Sequence, residues 1–161
     1  MLFTRFSSIL QLFVITVNLQ TQSFINAAPL PTDILKRQIG DLQCNIDRIQ
    51  IITQVNEATA DAQTLSGQLS SDPAASELVS SITSGLNATQ SGINEILDAL
   101  SQGQKAPADV RDAVGEGLTQ AIEALDNITT TDPNVVKTMS KLQVELDQAA
   151  AAGNAVVTDC V

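Results

Sequence analysis

The chain has 161 residues, 43% of them apolar, which suits one domain of ordinary size. Its only aromatic residues, Phe3, Phe6, Phe13 and Phe24, lie near the start, and Trp, Tyr and His are absent, so aromatic stacking platforms, the usual general base and the commonest metal ligand are excluded beyond Phe24. Eighteen acidic against eight basic residues give a net charge of −10, a field that repels phosphate backbones and anionic head groups and argues against nucleic acid as a partner.

Met1 to Arg5 carry one positive charge, Ile9 to Val17 form a run that is apolar apart from Gln11 and Thr16, and a more polar stretch leads to Ala27 and Ala28. This is the layout of a secretory signal peptide over residues 1–27. A cut after Ala28 would leave Pro29 directly beyond the scissile bond, which favours Ala27. The apolar run is well short of the roughly 20 residues that span a bilayer, and no comparable segment follows, so no transmembrane anchor is expected.

Residues 28–37 read as a short propeptide. Pro29 and Pro31 favour extended chain, and the segment ends on the pair Lys36-Arg37. That pair resembles substrates of the Golgi dibasic endoproteases; the plainer reading is two solvated charges. Cleavage there would leave a mature domain of residues 38–161. It would remove one acid, Asp33, and three bases, Arg5, Lys36 and Arg37, taking the net charge from −10 to −12.

Four segments follow with helical periodicity. From Asp41 to Leu69 the apolar set Leu42, Ile46, Ile49, Ile52, Val55, Ala58, Ala62, Leu65 and Leu69 steps by three or four, as one buried helical face requires. From Pro73 to Leu100 the set is Val79, Ile82, Leu86, Ile93, Ile96, Leu97 and Leu100, opened by the cap Asp72-Pro73 and followed by Gly103 as a stop. The third segment, Pro107 to about Ile128, uses Val110, Val114, Leu118, Ile122 and Leu125. Gly115 and Gly117 each weaken it by roughly 1 kcal/mol relative to alanine, and a break there would make five helices. The fourth begins at Asp132-Pro133 and places Val136, Met139, Leu142, Leu146, Ala149, Gly153, Val156 and Cys160 on one face. The two Asp-Pro caps, after Ser70-Ser71 and Thr130-Thr131, hint at two similar helical hairpins.

Cys44 and Cys160 are the only cysteines, and an even count in a secreted chain reads as a disulfide. Closing so long a loop would stabilise the fold by about 4–5 kcal/mol on the chain-entropy model. Two thiolates without histidine make a poor zinc site, and a catalytic cysteine would lack its imidazole partner. Short connections make neighbouring helices antiparallel, and an up-down-up-down bundle brings the start of the first helix and the end of the fourth to one pole, where the cysteines lie. The expected fold is therefore all-α: an antiparallel up-down bundle of four helices, five if the third breaks, closed by one disulfide.

Asn87-Ala88-Thr89 and Asn127-Ile128-Thr129 match the N-glycosylation pattern. Asn127, near a helix end, is the better placed, while Asn87 falls mid-helix. Asp109, Asp112 and Glu116 are the candidates for carboxylate catalysis, but acids at a helix start complement its dipole, and that structural role accounts for them. No EF-hand spacing occurs. No catalytic residue, metal or cofactor is expected.

The order of signal peptide, propeptide ending Lys36-Arg37, Gln38 to Asn45 around Cys44, and an Ala/Ser/Thr-rich helical region to Cys160 resembles the small secreted proteins of filamentous fungi. More distantly it is similar to the fungal cell-wall galactomannoprotein and hydrophobic-surface-binding protein A family. A disulfide joining the ends is not a defining feature of that family, so Cys44 and Cys160 mark a departure. The resemblance implies an extracellular or cell-wall location, adsorption to hydrophobic surfaces and, in some relatives, lipid binding in a helical cavity; it transfers no individual residue. The leading expectation is a secreted non-catalytic protein that adsorbs to hydrophobic surfaces or binds a lipid or fatty acid. The alternative is an effector-like or wall structural protein that contacts a cell-wall polymer or another secreted protein.

Overall fold

The computed structural model describes residues 42–160. The expected signal peptide (residues 1–27), the expected propeptide (28–37) with Lys36-Arg37, and residues 38–41 lie outside the described residues. The rest is all-helical, with α1 at Leu42–Gln68, α2 at Pro73–Ser101, α3 at Ala108–Asp126 and α4 at Pro133–Asp159. Among the described residues there is no strand and no fifth helix, because α3 runs unbroken through Gly115 and Gly117.

The caps act as their sequences suggest. Asp72 accepts from the amides of Ala74 and Ala75 at 3.0 and 3.2 Å, and Asp132 accepts from that of Asn134 at 2.8 Å, each with proline at the first helical position. Helix α2 stops at Gly103, whose φ of +71° favours a residue without a Cβ. The Gln104 amide donates to Ala99 O and the Gly103 amide to Leu100 O, the paired bonds of a Schellman ending.

Serine and threonine are accommodated in these helices by hydroxyls that turn back on their own backbone. Thr53, Thr59, Thr64, Ser81, Thr83 and Thr119 each donate to the carbonyl four residues earlier.

The helices associate unequally. α2 packs most closely on α3 and α1 on α4, while the α1–α2 and α3–α4 seams are thinner. The hairpins suggested by the two Asp-Pro caps are therefore not the closest pairs. Within each close pair the helices run antiparallel. Cys44 is bonded to Cys160, Gly153 lies beside Ile51 and Lys141 reaches Asp61. Likewise Gly85 faces Gly117 and Ala121, and Gly92 faces Val110 and Val114.

One aliphatic core joins all four helices, its largest fully buried side chains including Leu65, Ile82, Leu86, Leu125, Leu142 and Leu146. Three stretches depart from the expected faces. The inner line of α1 begins Cys44, Asp47, Ile51, Val55, and leaves Leu42, Ile46 and Ile49 exposed at 73, 46 and 66%. The disulfide turns Cys44 inward, and each step along a helix rotates about 100°, so the row through Ile46 and Ile49 points away. On α4, Val135 is buried in place of Val136, continuing the seven-residue line to Leu142 and Ala149. Leu97, near the end of α2, is also exposed.

Candidate functional site

The α2–α3 seam is made of small residues. A Cβ on Gly85 would stand 2.5 Å from Gly117 O, one on Gly117 would stand 2.6 Å from Gly85 O, and one on Gly92 would stand 2.6 Å from Val114 Cγ2. Backbone therefore meets backbone. Between these glycines the fully buried Thr89 hydroxyl donates to Val114 O at 3.3 Å, and the Gln120 amide donates to Ser81 O at 3.3 Å.

The α1–α4 seam is fixed by other means. At one end the Cys44–Cys160 disulfide joins the helices with Cα atoms 5.1 Å apart. Further along, Lys141 Nζ of α4 lies 3.0 Å from Asp61 Oδ2 of α1 and 3.2 Å from Glu145 Oε1 on its own helix. One ammonium thus serves two carboxylates. Burial pushes the Glu145 carboxyl above its ordinary 4.5; the Lys141 ammonium opposes this and the nearby Asp61 charge adds to it. The Lys141 ammonium is itself held above its ordinary value, first by its bond to Asp61 and then by that to Glu145. Asp61 belongs to a row with Asp47 and Gln54 at seven-residue intervals along α1. Asp47 Oδ1 accepts from Gln43 at 2.9 Å, while its buried Oδ2 has no hydrogen-bond donor among the described residues.

Among the described residues, every side-chain link between helix bodies, whether disulfide, ion pair or hydrogen bond, lies inside one of these two pairs. Ser76 Oγ donating to Leu69 O at 3.0 Å crosses from α2 only to the turn after α1. What joins one pair to the other is the aliphatic layer and two connections. On the α3–α4 side an open groove of about 390 Å³ is lined by Leu125, Asp126, Met139, Ser140 and Gln143.

The other candidates lie apart from these two seams. Asp109, Asp112 and Glu116 are all exposed on α3, with Asp109 in its first turn. Among the described residues no group of three Asp, Glu or Cys side chains is placed to hold a metal ion, and no helix is long and apolar enough to cross a membrane. Asn87 is exposed in the middle of α2 beside the buried Thr89 of its own sequon. Asn127 caps the end of α3 in the open, its Nδ2 donating to Glu123 O at 2.7 Å, and Thr129 is exposed beside it.

Sequence periodicity missed the Asp61–Lys141–Glu145 cluster and the Gly85–Thr89–Gly92 face. The recurrence of small residues at 85, 89 and 92 was the available signal for the second. No family model, curated protein or solved structure matches the chain.

Proposed function

We propose that this is a secreted, non-catalytic protein that adsorbs to hydrophobic surfaces or takes up a lipid or fatty acid, in the extracellular space or at a cell wall. The observation that carries the reading is the separation of roles in the interior. Among the described residues, directional and covalent side-chain links between helix bodies lie inside the α1–α4 and α2–α3 pairs, and the buried layer shared by the pairs is aliphatic. Each fully buried aliphatic side chain contributes about 1.5–3 kcal/mol by leaving water. An oil, a wax or an acyl chain supplies the same environment, so this contribution is transferable to an external apolar phase. Links that require a fixed partner geometry are not transferable in this way.

The four helices run up-down-up-down in this reading, with the disulfide at one pole. Residues 1–27 direct export, cleavage after Lys36-Arg37 releases the mature domain, and Asn127 carries a glycan. The resemblance to fungal small secreted proteins and, distantly, to the hydrophobic-surface-binding protein A family agrees with this reading. An acidic surface that recruits a basic secreted protein or a wall component is the competing reading, favoured by the excess of carboxylates over cations.

Depletion of the mature protein from solution over octadecyl-coated silica, compared with bare silica, tests the two. Capture by the alkyl surface that persists at high salt supports adsorption. Indifference to the alkyl surface and to fatty acid, with salt-sensitive capture by one basic partner, would overturn it.

A further inference from the structure

Resting on the adsorption reading, we infer that the bundle opens as two intact helix pairs, α1–α4 and α2–α3, about a hinge formed by residues 69–72 and 127–132. Both segments lie at the same pole. The antiparallel contacts of Asp61 with Lys141 place the end of α1 beside the start of α4, and those of Gly85 with Gly117 and Ala121 place the start of α2 beside the end of α3. The remaining connection, 102–107, stays inside the α2–α3 pair, and the disulfide stays inside the α1–α4 pair. Neither of them restrains the far pole against separation of the pairs.

The alternative lines of opening are blocked. Parting α2 from α3 breaks the Thr89–Val114 and Gln120–Ser81 bonds and leaves the glycine-lined backbone groove exposed. Parting α1 from α4 breaks the Lys141–Asp61 pair and is stopped at one end by the disulfide. Separating the pairs breaks no side-chain hydrogen bond, ion pair or covalent link between helix bodies among the described residues, and it opens the shared aliphatic core, which includes Leu65, Ile82, Leu86, Leu142 and Leu146, to whatever apolar phase lies outside. The thinner α1–α2 and α3–α4 seams are where this motion begins. The cystine is then a fastener of one half of the device, compatible with opening.

The test measures distances between spin labels on ketone-bearing residues, which leave the disulfide intact. Labels at Asn94 and Gln148 report across the pairs. Labels at Asn56 and Gln148, and at Asn94 and Asp112, report within them; all four positions are exposed. Spectra are taken in buffer, on octadecyl-coated silica and in micelles of a neutral dodecyl detergent. The expected result is an Asn94–Gln148 distance that lengthens by about one helix diameter, roughly 10 Å, on silica and in micelles, with both within-pair distances unchanged. Lengthening within a pair, or no change anywhere in micelles, overturns the inference. Failure to bind silica with opening in micelles removes the adsorption reading and leaves the hinge standing.

Discussion

Gly115 and Gly117 sit two residues apart in α3 and provide a controlled comparison. An alanine at either position gains the same helical propensity, about 1 kcal/mol. At 115 a Cβ meets nothing within 4 Å, so Gly115→Ala should simply stabilise. At 117 it stands 2.6 Å from Gly85 O and from Thr89 Oγ1, against the 3.4 Å at which ordinary contact begins. Moving α2 and α3 apart by the missing 0.8 Å disturbs a packed seam, at about 1–3 kcal/mol, and stretches the 3.3 Å Thr89–Val114 bond, at about 1 kcal/mol more. Because the propensity gain is common to both, Gly117→Ala should be less stable than Gly115→Ala by about 2–4 kcal/mol. Urea unfolding followed by helical circular dichroism measures the gap. Equal stability of the two variants would refute the backbone-to-backbone seam.

Burial raises the Glu145 carboxyl above 4.5, so the folded chain holds this proton more tightly than the unfolded one. The associated stability is fully present below 4.5 and is lost as pH rises through the folded value; Glu145→Gln should flatten that decline in urea midpoints across the pH range, and an unchanged slope would contradict it. Reducing the disulfide, which spans 116 residues, should lower stability by about 5 kcal/mol, read as the difference in unfolding free energy with and without reductant. Leu142→Ala, at a side chain that is 0% exposed, should cost about 2–5 kcal/mol in the same assay, whereas Val144→Ala, on the exposed side, should cost little.

Much of this fold is legible in the sequence. Asp72-Pro73 and Asp132-Pro133 mark helix starts, Gly103 marks a stop, and Cys44 with Cys160 specifies closure. Apolar period alone misplaced the first turns of α1, because two apolar rows compete there and only the disulfide decides between Leu42–Ile46–Ile49 and Cys44–Ile51. The pairing of helices was also hidden. Close approach at Gly85 and Gly117 depends on which helix faces which, and a glycine reads in isolation as a weak helix former. The Asp61–Lys141–Glu145 cluster escaped for a related reason: its members come from helices far apart in the chain, and each looks like a surface charge.

An aliphatic layer shared by two helix pairs should exchange for an external apolar surface. The tension of a hexadecane–water interface, followed as the disulfide-intact chain of residues 38–161 is added and paired with helicity at the interface, reads that exchange. Tension is expected to fall with helicity retained. Tension that stays at the buffer value, or falls only as helicity is lost, would contradict it.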